Sequence, residues 1–366
     1  MTDLLYSPEE EALRTAVRGL LADHCGPADV LARVESDTPR DPSLWKTLAT
    51  DMGLAGLLVP EALGGQGASH REAAVVLEEL GRAVAPVPYL TSAVVATEAL
   101  LACPGEEAAA LLGELAAGRT VAALAVGLAD RPDGPHTLVR SRQGTLHGRV
   151  TAVADAAHAD VLLVPAEDGG LYAVSTSDTD TVTLTPQTSL DLTRPLATVD
   201  LDGATGRRLT DDAPTAVRRA LRAGAGLLAS EQLGVADWCL TETVRYLKER
   251  RQFNRPVGGF QALKHRLAQL WLEVVNLRAA ARNAADALAT GSEDTDVAVA
   301  VAEAYAAPVA VHVAEECLQL HGGIGMTWEH PVHLYLKRAK ADSIAYGTAG
   351  AHREALSTLV GLEPPA

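Results

Sequence analysis

Aromatic residues are scarce in this chain. Phe, Trp and Tyr make up 4% of its 366 residues, and only Phe253 and Phe260 are phenylalanine. The hydrophobic content, 48%, is ample for a core, but Ala, Leu and Val carry it instead. Cysteine is also rare: Cys25, Cys103, Cys239 and Cys317 are scattered without a C-x-x-C pair, which suits reduced thiols in a cytoplasm. The eleven histidines show neither H-x-x-x-H nor H-E-x-x-H spacing, so no metal site is expected. Positive charge is outnumbered, and a formal net charge of −16 argues against nucleic acid and anionic membrane surfaces as partners. No uncharged stretch reaches membrane-spanning length. The start, Met1 to Glu10, lacks a basic region followed by a long apolar run, so no signal peptide is expected. The expectation is a cytoplasmic protein without membrane insertion.

What is present falls into three textures. Residues 1–118 read as an N-terminal helical domain. Ser7-Pro8 followed by Glu9, Glu10 and Glu11 marks a helix start. Ala12, Val17, Leu20 and Leu21 then recur at helical spacing. Further helices carry Leu44, Trp45, Leu48 and Met52, then Glu72 to Val84, then about Thr91 to Leu101. Residues 119–208 hold short apolar runs separated by turn clusters such as Arg131-Pro132-Asp133-Gly134, the pattern of a small antiparallel β domain or barrel. Residues 209–366 return to long helices. Leu263, Leu267, Leu270, Val274, Leu277, Ala281, Ala284 and Leu288 alternate steps of four and three, a bundle seam. A third helix is expected from about Asp294 to Leu320 and a fourth from about Pro331 to Val360. The fold class is therefore α+β: helices, a middle β domain, and a C-terminal four-helix bundle.

Both phenylalanines lie in one stretch, Glu249-Arg250-Arg251-Gln252-Phe253-Asn254-Arg255-Pro256-Val257-Gly258-Gly259-Phe260-Gln261. Pro-Val-Gly-Gly between two helical patterns makes it a tight interhelical turn. Arginines beside an aromatic ring and exposed backbone N–H groups can hold a phosphate diester and cover a flat ring next to it. The same charges can equally offset the negative end of a helix dipole.

This stretch resembles the R-x-x-F-G…F-Q signature of the acyl-CoA dehydrogenase family. Gln319-Leu320-His321-Gly322-Gly323-Ile324-Gly325 is similar to the family's Q-x-x-G-G-x-G, and Gly53 to Gly67 resembles its G-L-x-G-x-x-V-P-E-x-x-G-G-x-G loop. No Lys-Ser/Thr follows that loop, so a nucleotide P-loop is not indicated. The resemblance covers nearly the whole chain. It implies the acyl-CoA dehydrogenase fold, FAD as cofactor, an acyl-CoA substrate and an electron-transfer flavoprotein or similar acceptor. In such enzymes a carboxylate takes the α-proton of the thioester while the flavin accepts the β-hydride. It further implies cofactor-binding roles across a subunit interface for Arg250, Gln252, Phe253, Gln319, Gly322 and Gly323. Gly322 and Gly323 also read as plain helix C-cap glycines.

The catalytic residues do not carry over. The family's R-D-A-K-x-x-x-I-x-E-G-T aligns without a gap to Lys337 through Thr348, and Tyr346 occupies the Glu position. The alternative base position, on the first bundle helix, falls at Gly224. A phenol is a poor base at neutral pH, so the base is left unknown. Glu231 is another possible base, but a pairing with Arg251 or Lys248 is expected of it. The family's flavin-facing T-E-P-x-x-G-S-D and W-I-T-N-A segments correspond to Ala122–Leu128 and Leu146–Ala156, without the Trp, Thr and Ser ligands. Groups that act within one subunit are thus missing and groups that act across the interface are kept. Three readings follow. The chain is an accessory subunit in a heterotetramer with a second acyl-CoA dehydrogenase-like subunit, as in actinobacterial α2β2 members. Otherwise it is a self-sufficient homotetramer with an atypical base, or a fold member repurposed as a scaffold or for non-redox chemistry.

Overall fold

The computed structural model describes residues 4–36 and 38–362, so the first three residues of the start discussed above lie outside the described residues. Helix α1 (Pro8–His24) begins at a capping box: Ser7 Oγ accepts from the Glu10 N–H, and the Glu10 carboxylate accepts from the Ser7 N–H. Two short helices follow, α2 (Pro27–Val34) and α3 (Pro42–Lys46), the latter running on into a π-helical turn to Asp51. Helix α4 (His70–Ala83) has its own capping box at Ser69 and Glu72. A π-helical stretch, Tyr89–Ala96, leads into α5 (Thr97–Leu101), and α6 (Glu106–Ala116) closes the helical part.

The middle part holds two four-stranded sheets packed face to face. The first has the order β1 (Ala122–Leu124), β4 (Val161–Pro165), β5 (Leu171–Ser175), β8 (Arg207–Thr210). The second has the order β2 (Arg140–Arg142), β3 (Thr145–Ala154), β7 (Leu196–Thr205), β6 (Val182–Gln187), antiparallel throughout. The expected all-antiparallel arrangement fails at one pair: β1 runs parallel to β4. On β4, Leu162 and Val164 face the other sheet while Leu163 faces the helices. A strand covered on both faces reads as an unbroken apolar run and does not announce its direction.

Asp212 caps α7 (Ala213–Glu249), accepting from the Thr215 N–H at 3.1 Å. At 37 residues this helix is about 55 Å long and is the spine of the molecule. It crosses α4 in backbone contact. A methyl group on Gly81 would stand 2.1 Å from the Glu231 carbonyl oxygen, and one on Gly234 would stand 1.9 Å from that of Glu78. Only glycine permits that approach.

After α7 the chain makes a two-residue hairpin, β9 (Arg251–Gln252) against β10 (Arg255–Pro256), rather than a plain loop. Then come α8 (Gln261–Thr290) and α9 (Thr295–His321). The α8 seam packs as its spacing predicts, with Leu270, Val274, Leu277, Ala281, Ala284 and Leu288 buried. The α9 segment is long and apolar enough to span a membrane, but it is mostly buried in the bundle.

The expected fourth helix is broken in two, α10 (Val332–Asp342) and α11 (Ala349–Leu359). Gly347 at φ 113° and Tyr346 at φ 53° turn the chain between them, and Thr348 caps α11. An Ala-rich periodic stretch conceals such a break. Tyr346 is therefore a turn residue.

Candidate functional site

The two base positions meet in space. Gly224 lies midway along α7 and Tyr346 lies in the α10–α11 turn, yet a methyl group on Gly224 would stand 3.2 Å from Tyr346 Cε2 and 2.8 Å from Val95 Cγ2. Around the ring lie Thr91 and Val95, Leu124, Val126, Gly127 and Leu128 at the β1 exit, and Ala154 at the end of β3. The segments aligned with the family's flavin-facing positions thus wall the same spot as the aligned base positions. The remaining cavity is about 20 Å³, enough for about one water molecule. A flavin ring does not fit there. Tyr346 is buried, and its N–H donates to the Leu128 carbonyl at 2.8 Å. Burial pushes its phenol further above the ordinary value, so the phenolate a general base would need is out of reach near neutral pH.

Beside this plug lies a buried ionic cluster that the sequence did not reveal. Arg194, from the loop before β7, pairs with Glu231 at 2.7 Å and with Asp342 at 2.5 Å. Arg338 of α10 pairs with Asp191 at 2.5 Å and with Glu231. The expected pairing of Glu231 with Arg251 or Lys248 is therefore wrong. Those residues lie 17 and more positions further along the chain, about 25 Å away at 1.5 Å per residue. Burial opposes the Glu231 charge, but the two guanidinium groups outweigh it and hold the carboxyl below its usual range. Two cations balance Glu231 and Asp191, which leaves Asp342 and Glu303 in surplus. Burial, with Glu231 adding to it, pushes the Asp342 carboxyl up to about 7. Burial, with Asp342 adding to it, pushes Glu303 well above the ordinary range. The doubly paired Glu231 carboxylate and its partners make a brace between the sheets and the bundle, and Glu231 is not free to act as a base.

The interhelical turn is open by contrast. A pocket of about 490 Å³ is lined by Arg250, Gln252, Arg266, Gln319, His321, Gly322 and Gly323, among others. The carboxylates nearest in sequence, Glu242 and Glu249, are both engaged by Arg245, and Arg250 has no ion pair of its own among the described residues. Phe253 does not line this pocket. It stands at the hairpin tip, 85% exposed, at φ 50° and edge-on to Phe260 at 6.2 Å. A bulky residue held in the left-handed region is strained, and such strain gathers at sites that contact something. A methyl group added to Gly323 would meet nothing within 4 Å, so this chain's own packing does not demand glycine there.

Two further groups come together only in the folded chain. Asp155 is buried at φ 55°, accepts from Thr91 Oγ1 at 2.7 Å, and is pushed up by burial. Glu242, His321 and His330 bring one ligand-type atom each within 4.8 Å of one another, although no two are at metal-motif spacing.

The family profile "Acyl-CoA dehydrogenase, N-terminal domain" matches residues 7–119, and "Acyl-CoA dehydrogenase, C-terminal domain" matches residues 215–359. Acyl-CoA dehydrogenase IpdE2 of Mycolicibacterium smegmatis is 38% identical over 341 residues, covering 93% of this chain and 95% of that protein. IpdE2 of Mycobacterium tuberculosis is 39% identical, covering 92% of each. Among solved structures, a variant of the Tcur3481-Tcur3483 steroid ACAD superimposes with a TM-score of 0.85 at 32% identity, over 96% of this chain and 98% of that one. The ChsE4-ChsE5 complex from M. tuberculosis superimposes with a TM-score of 0.85 at 28% identity, over the full length of both chains. By profile, sequence and fold alike, the chain belongs to the acyl-CoA dehydrogenase family.

Proposed function

We propose that this chain is the accessory subunit of a heteromeric, FAD-dependent acyl-CoA dehydrogenase, cytoplasmic, acting on acyl-CoA thioesters of the steroid or lipid class. One observation carries the reading: the cleft at Gly224 and Tyr346 is filled, while the turn pocket at Arg250 is open. FAD supplies the hydride acceptor for α,β-dehydrogenation when bound with the partner subunit, which also supplies the base. This chain closes over the cofactor's tail. Arg250 offers a charge-assisted pairing to the pyrophosphate. Phe253 packs on the tail from the hairpin tip. Gln252 borders the same surface, and Gln319 with Gly322 and Gly323 lets backbone approach the adenosine side closely. Electrons leave to an electron-transfer flavoprotein or a similar acceptor. The reading is supported by two-protein names among the similar structures, Tcur3481-Tcur3483 and ChsE4-ChsE5.

The test is the visible spectrum and native mass of the purified chain, made alone and then with an adjacent dehydrogenase-like gene product. A colourless chain alone and a yellow heterotetramer with one FAD per pair is the expected result. A yellow homo-oligomer alone overturns the reading in favour of a self-sufficient enzyme. A complex that never holds flavin favours a scaffold.

A further inference from the structure

We infer that Glu242, His321 and His330 form a binding site for a zinc-class divalent cation beside the turn pocket, whose wall includes His321. The inference stands on these side chains alone and not on the assignment of the pocket to FAD.

The three residues come from the body of α7, the last residue of α9 and the segment leading to α10. His321 is 2% exposed. Its Nδ1–H donates to the Cys317 carbonyl at 2.7 Å, which fixes the proton on that nitrogen and leaves the lone pair on Nε2. Nε2 is buried and has no hydrogen-bond partner among the described residues. Buried polar atoms are rarely left so. An imidazole anchored through a backbone carbonyl, with its other nitrogen bare, is how proteins present a metal ligand.

His330 and Glu242 complete the set. The His330 ring centroid is 4.3 Å from that of His321, and its Nε2 faces Glu242 Oε1 at 4.0 Å. That gap is too long for a hydrogen bond. Zinc bonds of about 2.0–2.1 Å place tetrahedral ligands about 3.4 Å apart, so the three side chains need to close by about 1 Å. Glu242 already receives the Arg245 guanidinium, but each carboxylate oxygen has a second lone pair. The cost falls on His330. Its Nδ1 accepts from the Val332 N–H at 3.3 Å, and ligation through Nε2 puts a proton on Nδ1 and ends that contact. Two imidazoles and one carboxylate favour zinc over magnesium or calcium, which take all-oxygen shells. Three protein ligands leave a fourth position for water or another ligand.

The test uses the full chain, stripped with a chelator and titrated calorimetrically with zinc chloride. Cobalt(II) then serves as a visible reporter of tetrahedral geometry. One zinc per chain and a strong cobalt band are expected. His330→Gln and Glu242→Gln should each lower affinity ~10-fold or more, while His265→Gln, on an exposed face, should not. Circular dichroism checks that each variant is folded. Binding that survives both ligand substitutions, equal binding of magnesium chloride, or no saturable binding overturns the inference. A bound water on His321 Nε2 is then the alternative. None of these readouts depends on flavin content, so the inference and the proposed function fail separately.

Discussion

The ring of Tyr346 and the Val95 side chain both close over the α-carbon of Gly224, within 3.2 Å and 2.8 Å of where a methyl group would stand. Adding a methyl group there overpacks a closed site. Gly224→Ala should cost about 1–3 kcal/mol in urea unfolding. In a Tyr346→Ala background the cost should shrink, giving a coupling of about 0.5 kcal/mol or more in a double-mutant cycle. Additive effects would mean that the ring and the glycine do not share the space.

Tyr346→Phe asks a separate question. If the phenol takes no proton from substrate, turnover by the two-subunit complex should be unchanged across neutral pH. A large fall in kcat would make Tyr346 a catalytic residue.

Arg250 is exposed and has no ion pair of its own among the described residues. Arg250→Ala should therefore change the stability of the isolated chain by less than about 0.5 kcal/mol. The assembled complex should nevertheless lose its yellow colour on gel filtration. Loss of stability together with colour would assign Arg250 a merely structural task.

Phe253 separates the same two quantities with opposite signs. Its φ of 50° costs about 1 kcal/mol in a residue with a bulky side chain, a cost glycine escapes. Phe253→Gly should leave the isolated chain as stable as before or more so, and should weaken flavin retention in the complex. Thermal melts and the flavin-to-protein absorbance ratio check both halves.

The brace at Asp342 predicts a pH dependence. Its folded-state carboxyl titrates at about 7, mainly through burial, against about 3.9 for an exposed Asp. Between those values the folded chain holds a proton that the unfolded chain has released. That contribution is full below about pH 3.9 and is lost as pH rises through 7. Asp342→Asn should flatten this part of the Tm-versus-pH curve. An unchanged slope would show that Asp342 titrates normally.

The sequence disclosed most where its composition is unusual. Phe253, Phe260 and the arginines crowd one turn in a chain otherwise poor in rings, and the α8 seam repeats cleanly because leucines mark it. Residues 343–348 gave no sign of the helix break, since Ala339, Ala341 and Ala345 continue the helical texture straight through it. The partners of Glu231 were hidden for another reason. Arg194 sits in a loop between strands and Arg338 lies more than a hundred positions on, so only the folded chain brings their charges together. His321 and His330 carry no metal-motif spacing along the chain; their meeting depends on how the segment after α9 turns back.

The filled cleft also means that no single substitution at position 346 would open it. A carboxylate placed at position 346 would face Val95 and Gly224 in a space of about 20 Å³, with no room for a flavin ring. Hollowing that space would still leave apolar alanine and leucine side chains along β1. Giving this chain a base and a ring site of its own would therefore take changes at position 346, at Val95 and along β1 together.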